Sequence, residues 1–176
     1  MLMRSKTSQI GLSMIELMVG VAILGILTSI AVPSFQTWMR NSQVRNAAES
    51  ISNGLQRARA EAVSRNARVA FVLENDTSWS VNIVDAALTP ASSVIQTRSS
   101  SEGSKNVTKT VAPLGATTIT YNNLGGITAN SGASAALTQV DLSAEGTSRN
   151  LRITIGVGGN ARMCDPSAAS GTPTAC

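Results

Sequence analysis

The chain has no histidine and very few aromatic residues, and both absences restrict its chemistry. Its 176 residues include only two phenylalanines, two tryptophans and one tyrosine. Histidine is the side chain that most readily exchanges a proton near neutral pH, and it is a frequent metal ligand. Aromatic side chains are what proteins use to stack on single-stranded bases. The sequence therefore predicts no histidine-dependent catalysis, no histidine-bound metal and no stacking surface.

Charged residues and cysteines are also sparse. Asp, Glu, Lys and Arg make up 14% of the chain, and the formal net charge is +4. Such a small excess fits an ordinary solvated surface and does not by itself indicate nucleic acid. There is no clustered carboxylate pair, phosphate loop or nucleophile motif. We therefore expect no enzymatic activity, no catalytic residues, no cofactor, no metal and no small-molecule substrate.

What the chain does contain is a long apolar run near its start. The 21 residues from Leu12 to Val32 include one charge, and as a helix they would extend ~32 Å, enough for a bilayer core. The residues before them carry Arg4 and Lys6 and no acid, which predicts a cytoplasmic start and an exported remainder. A secretory signal peptide has a shorter apolar core followed by small residues at its cleavage site, whereas this run ends in Pro33.

The single charge in this run is Glu16. A charged group in the hydrocarbon costs at least ~2.5 kcal/mol and usually marks a function that supplies a partner. Neither a signal peptide nor a plain membrane anchor explains an acid at this position. The acid at Glu16 therefore indicates a function that involves a partner.

The stretch G-L-S-M-I-E-L, residues 11–17, resembles the class III signal of type IV pilins and type II secretion pseudopilins. In that family a prepilin peptidase cuts after the glycine and methylates the new N-terminus. The resemblance implies cleavage between Gly11 and Leu12 and N-methylation of Leu12, although the family more often has Phe at that position. It also implies that Glu16 pairs with the N-terminal amine of a neighbouring subunit in the filament.

Two further residues match the family pattern, Gly25 and Pro33. We expect both to break or loosen the helix. At Pro33 the reason is that the proline ring removes one backbone hydrogen bond. The predicted segments are a leader at residues 1–11, which the peptidase removes, and a membrane and filament-core helix at 12–33. An amphipathic helix at 34–66 and a β-rich globular domain at 67–176 follow.

The helix at 34–66 is predicted from apolar residues that recur at steps of three and four, typical of one buried helix face. They are Val44, Ala47, Ala48, Ile51, Leu55, Ala58 and Ala62. Several arginines lie on the other faces with Glu61 among them, and we expect Glu61 and Arg65 to pair across one turn. A solvated face explains these arginines more simply than nucleic acid does.

After residue 66 the pattern alternates as β-strands do. It predicts strands at 67–74 and 78–84 joined as a hairpin, a weaker strand at 94–98 and a polar loop at 99–110. Further strands are predicted at 117–121, 138–142 and 151–157. The fold class is therefore α+β, with one long N-terminal helix packed on a small antiparallel β-rich domain, as in pilins.

Three segments resemble the GspH/FimT branch of minor pilins and pseudopilins. They are LQRARAEAVSRN (55–66), TITYNNLGGIT (118–128) and LRITIGVGGNARMC (151–164). The resemblance implies a minor pilin that passes from the inner membrane into a type IV pilus, where it primes assembly or sits at the tip. Its partners would be other pilin or pseudopilin subunits, the prepilin peptidase and the membrane, with the globular domain in the periplasm. A pseudopilin of a type II secretion system is an alternative.

The two cysteines, Cys164 and Cys176, would lie outside the cytoplasm in this topology, so we expect a disulfide. It would close a loop of 13 residues and stabilise the fold by ~3 kcal/mol. A metal pair is disfavoured because histidine is absent, and a redox pair usually has closer spacing.

DNA binding is a second alternative. Some FimT-like minor pilins are associated with DNA uptake through a Gly-Arg-x-Arg motif after the last strand. The matching residues here are Gly159, Asn160, Ala161 and Arg162, so only the second arginine is present. More charge would come from Arg149, Arg152, Lys105 and Lys109 if the fold gathers them, and binding would then be phosphate-dominated and salt-sensitive.

Overall fold

The structure is a computed structural model that describes residues 11, 13–84, 90–147 and 149–176. It divides into two units, Met1–Gln36 and Thr37–Cys176. The described part of the first unit is the beginning of a long helix. The second unit holds the remainder of that helix and the strands.

The helix α1 runs from Met14 to Arg65. Every residue from 13 to 36 is exposed, and the segment is long and apolar enough to cross a membrane. The helix passes through Gly25 and Pro33 without interruption, so the prediction of a helix break at these residues is wrong. A proline removes only its own N–H donor, and the hydrogen bonds on either side can hold the helix together.

The second part of α1 has one buried face, as predicted. Its seven predicted apolar residues are each at most 1% exposed. They belong to one core cluster with side chains of the β-strands, such as Phe71, Ile119, Val140 and Ile153. The amphipathic pattern therefore identified the face of α1 that packs against the β-strands.

Nine strands follow α1 within the part of the chain that the structure describes. They are β1 (Arg68–Leu73), β2 (Trp79–Val84), β3 (Pro90–Arg98), β4 (Thr108–Ala112), β5 (Thr118–Tyr121), β6 (Ile127–Thr128), β7 (Gln139–Ser143), β8 (Leu151–Ile155) and β9 (Ala161–Cys164). A short 3-10 helix, Ser131–Ala133, lies between β6 and β7. The strands form a five-stranded sheet in the order β3-β2-β1-β5-β6 and a four-stranded sheet in the order β4-β7-β8-β9. All neighbouring strands are antiparallel.

The predicted hairpin at 67–84 is confirmed as β1–β2, paired from Arg68–Val84 to Leu73–Trp79. In its turn, Asp76 Oδ1 accepts a hydrogen bond from the Ser78 N–H at 2.7 Å. An Asp side chain that binds backbone two residues on is a common turn former.

Three strands were missed or misplaced by the prediction from the sequence pattern. β4 begins inside the predicted loop at 99–110, and neither β6 nor β9 was predicted. β4 is an edge strand, and its polar residues Thr108 and Thr110 are exposed. It therefore lacks the apolar alternation that identifies a half-buried strand. β6 and β9 have two and four residues, too few for a periodic signal.

Gly54 lies where α1 packs closely against the first sheet. A Cβ atom added there would lie 2.7 Å from Cε2 of Phe71 and 3.0 Å from ring atoms of Trp79. The two rings pack against each other with centroids 5.7 Å apart, and the Trp79 indole N–H donates to Ser50 Oγ at 2.8 Å. The glycine therefore makes room for an aromatic pair that anchors the helix.

Glu61 is the one buried carboxylate on the described part of α1. It pairs with Arg57 at 2.7 Å and with Arg65 at 2.5 Å, which confirms the predicted pairing of Glu61 and Arg65. The hydrogen bond from Arg65 is the largest cause that lowers the pKa of Glu61. Arg59 donates instead to the Gly125 carbonyl at 2.9 Å. Arg57, Arg59 and Arg65 therefore each have a partner within the chain.

Candidate assembly and interaction surfaces

The first candidate site is the start of α1. Gly11 is exposed, and the Ser13 carbonyl accepts the first helical hydrogen bond, from the Leu17 N–H at 3.2 Å. Glu16 lies in the first turn and is exposed, where the helix dipole favours a negative charge. Leu12 and residues 1–10 lie outside the described residues, so the predicted cleavage and methylation of Leu12 stay predictions.

Glu16 has no cation within reach on its own helix. Residues 11–36 contain no lysine or arginine, and the next charged residue along the chain is Arg40, ~36 Å further along a helix by rise per residue. A carboxylate on an apolar helix needs a neutralising charge to be tolerated in a low dielectric. A cation that neutralised Glu16 would therefore come from outside residues 11–36.

The second candidate site is the group of five basic residues. On the second sheet, Arg152 lies opposite Cys164, and Arg162 lies opposite Thr154. Directly opposed residues of antiparallel strands share a face, and successive residues alternate. Arg152 and Arg162 are therefore on the same face of the sheet. Lys109 pairs with Leu142, which pairs with Leu151, so Lys109 is on the other face.

Local partners already engage most of these charges. Arg152 pairs with Asp141 at 2.6 Å, and these hydrogen bonds raise the pKa of Arg152. The ammonium of Lys109 donates to the Glu74 carbonyl, and burial lowers the pKa of Lys109. Arg162 donates to the Ala175 carbonyl at 3.1 Å.

Arg149 lies before β8 and interacts electrostatically with Asp165, whereas Lys105 lies in the exposed loop before β4. The register thus puts Arg152 and Arg162 on the same face of the second sheet and Lys109 on the other, and Arg152 is held in an ion pair. DNA binding by these five residues stays a prediction.

The third candidate site is the C-terminal tail. The predicted disulfide is present between Cys164 and Cys176. The Asp165 N–H donates to the Thr174 carbonyl at 2.7 Å, and Asp165 forms an isolated bridge with Ala175. The tail therefore folds back along β9, the outer strand of the second sheet. A covered strand edge is protected from pairing with other chains.

A cleft of about 640 Å³ lies between the tail, β8–β9 and the part of α1 that follows Gln36. Its walls combine apolar and charged residues, namely Trp38, Val44, Leu151, Met163, Pro173, Arg45, Arg149 and Asp165. Sequence reasoning missed it because its walls come from three distant segments. The described residues contain no group of three or more His, Cys, Asp or Glu side chains that could hold a metal ion.

Comparison with known proteins decides the family. Residues 47–159 match the family described as type II transport protein GspH. The chain belongs to the GspH family. Residues 6–32 of this GspH-family chain also match the prokaryotic N-terminal methylation motif, which contains Gly11, Leu12 and Glu16. The family resemblance stated from the sequence is confirmed.

The relatives of this GspH-family chain are pilus proteins. Two fimbrial proteins of Pseudomonas aeruginosa are each 29% identical over 106 residues, which is 59% of this chain and 69% of each relative. Two crystal structures of the type IV minor pilin FimU from P. aeruginosa PAO1 share the fold. They match with TM-scores of 0.52 and 0.56 and identities of 17% and 16%, and cover 73% and 77% of this chain and 98% of each FimU chain.

The predicted α+β pilin fold is therefore confirmed. The chain is a minor pilin or pseudopilin, a class of structural subunits that assemble with other pilin subunits, and its methylation motif implies processing by a prepilin peptidase.

Proposed function

We propose that this GspH-family chain is a minor pilin that is cut between Gly11 and Leu12, methylated on Leu12 and drawn from the inner membrane into a type IV pilus. Its role is structural rather than catalytic. Before assembly, α1 anchors the chain in the membrane and the globular unit lies in the periplasm. In the filament it primes assembly or occupies the tip.

The observation that carries this proposal is the position of Glu16. The carboxylate is exposed in the first turn of an apolar helix whose described residues offer it no cation. Cleavage after Gly11 creates an ammonium group at Leu12, four residues before Glu16 on the mature chain. The same cleavage on a neighbouring subunit supplies the cation that would neutralise Glu16.

The choice of a pilus over a secretion pseudopilus rests on the relatives. Both curated relatives are named fimbrial proteins, and both structural matches are a type IV minor pilin. The family description, in contrast, names type II transport. DNA binding is not part of the proposal, because the basic residues that suggested it are divided between faces and partners.

Replacement of Glu16 by alanine tests the proposal. We expect Glu16→Ala to insert into the membrane and to be cleaved and methylated normally, but to be absent from pili sheared off the cell. Mass spectrometry of the membrane-bound chain measures processing, and immunoblots of the sheared fraction measure incorporation.

Ser13→Ala is the matched control, because it changes a polar residue one turn away without removing a charge, and it should incorporate normally. A Glu16→Ala chain that enters pili at the normal level would contradict the assembly role. If the unmodified chain is found only with secretion components and never in sheared pili, the choice of a pilus is wrong while the pilin class stands.

A further inference from the structure

The apolar surface of α1 extends beyond the membrane-length run. From Leu17 to Met39 there are 23 residues without a charge. A hydrocarbon core ~30 Å thick takes up about 20 helical residues. Counted from Glu16, twenty residues end at Phe35. Trp38 and Met39 therefore lie one turn further along, at the depth of the outer headgroup layer.

Two large apolar side chains occupy this turn, and both are exposed. The exposed fractions are 65% for Trp38 and 43% for Met39. A cluster of exposed apolar residues is unusual on a soluble surface and generally marks an interaction.

The charge distribution favours lipid as the partner of this turn. The first cation after the apolar run, Arg40, is turned onto the globular unit, where its guanidinium donates to the Glu145 carbonyl at 2.6 Å. On the exposed face the first charges are Arg45 and Glu49, which pair with each other at 2.7 Å. Apart from Arg40, the sequence carries no charge between Glu16 and Arg45.

Tryptophan is the side chain best suited to this depth. Its ring is apolar, but its N–H donates to water or to lipid head groups, so tryptophan concentrates at membrane interfaces. The chain has two tryptophans, and the other one, Trp79, is 3% exposed and donates to Ser50 within the core. Trp38, in contrast, lies on the surface of the chain.

We propose that Trp38 and Met39 form an interfacial anchor that lies in the outer headgroup layer of the bilayer and sets the depth of the chain before it leaves the membrane. The anchor follows the membrane-length segment along the sequence of α1. The inference rests on the proposed membrane-held state of the subunit.

Depth-dependent quenching of Trp38 tests the anchor. The full chain is reconstituted into vesicles of phosphatidylethanolamine and phosphatidylglycerol that contain lipids brominated either near the glycerol or near the acyl-chain end. We expect several-fold stronger quenching by the shallow label than by the deep label, and little quenching by aqueous iodide. Trp38→Phe should abolish the lipid-quenched component, while emission from buried Trp79 remains.

A matched control moves the reporter along the same face. In the double variant Trp38→Phe and Asn46→Trp, the indole lies two turns further from the membrane at an exposed position. It should be quenched by iodide and not by either lipid label. This difference separates a true interfacial position from non-specific contact with vesicles.

Two results would overturn the anchor. Quenching of Trp38 by iodide alone would place its side chain in water. Alternatively, Trp38 could be protected from both the lipid labels and iodide. If that protection is lost when the protein is diluted in lipid, Trp38 contacts a second copy of the chain. Flotation of the vesicles distinguishes failure of the anchor from failure of the proposed function, since a chain that does not float with lipid contradicts the membrane-held state itself.

Discussion

Tyr121 shows how one residue acquires its properties from the fold. It is the chain's single tyrosine and is fully buried at the end of β5. Gly159, in the turn between β8 and β9, lies over its ring, where an added Cβ would be 2.8 Å from Cε1. Burial raises the pKa of Tyr121 to about 12, although the nearby Arg59 charge acts in the opposite direction.

This raised pKa predicts a pH dependence of stability. Because the folded-state pKa lies above the unfolded value of ~10, the stabilisation is fully present below pH ~10 and is lost as the pH rises through about 12. We expect ultraviolet titration to show phenolate only near pH 12 in the folded chain and near pH 10 in denaturant. Ionisation of the folded chain near pH 10 would show that the ring is solvated.

Gly54 provides a second prediction at this scale. Gly54→Ala should gain ~1 kcal/mol of helix propensity but lose about 1–3 kcal/mol to overpacking, since its methyl would meet Phe71 and Trp79. We expect a lower free energy of unfolding for residues 37–176, measured in denaturant by Trp79 fluorescence. Asn53→Ala, one residue away and exposed, should be neutral or slightly stabilising. Stabilisation by Gly54→Ala would mean that the aromatic pair can move aside.

At the scale of elements, one buried asparagine holds an irregular segment in place. Asn130 is 2% exposed. Its Nδ2 donates to the carbonyls of Thr118, Ser134 and Ala135 at 2.9 to 3.3 Å, and its Oδ1 accepts from the Thr120 hydroxyl at 2.9 Å. A single side chain thus ties the segment between β6 and β7 to strand β5.

Asn130→Ala should therefore destabilise the globular unit more than a surface change does. It leaves several buried polar groups without their partner, at a cost of about 1–3 kcal/mol. We expect a lower denaturation midpoint and faster amide exchange at residues 129–136. Ser134→Ala, in the same segment but exposed, should change the midpoint little. Equal effects of the two substitutions would contradict the anchoring role of Asn130.

At the scale of the whole molecule, the tail joins the end of the chain to the second sheet. The disulfide closes a loop with a sequence separation of 12, and the backbone N–H of Asp165 and the guanidinium of Arg162 hold the tail beside β9. The tail also forms one wall of the cleft beside α1. It therefore shapes a surface of the globular unit in addition to stabilising it.

Removal of the disulfide should cost ~3 kcal/mol on the loop-entropy model. We expect the double variant Cys164→Ser and Cys176→Ser to unfold at lower denaturant concentration than the oxidised chain, and the unmodified chain to approach it when reduced. Ser170→Ala in the same tail should leave the midpoint unchanged. A reduced chain with the oxidised midpoint would show that the tail contacts are sufficient without the covalent link.

Periodic elements were predictable from the sequence, and particular contacts were not. The stripe from Val44 to Ala62 and the β1–β2 hairpin follow from patterns of three to four and two residues, which depend only on local backbone geometry. Gly54 looks like a weak point of the helix in the sequence, because nothing local shows the two rings that face it. The division of the basic residues between the two faces of the second sheet was not predictable either, since a one-residue difference in register moves a side chain to the other face.

The order of residues alone was sufficient for the membrane-length helix, the pilin-type start around Gly11 and Glu16, the buried face of α1 and the pairing of two cysteines. These features depend on composition or local spacing, except the pilin-type start, which was identified by its resemblance to a known family. Folding in three dimensions was needed to divide the strands into two sheets, to separate Lys109 from Arg152 and Arg162, and to form the cleft beside the tail. Each of these brings together residues far apart in the chain, and their free energy comes from non-local packing and pairing that no local pattern records.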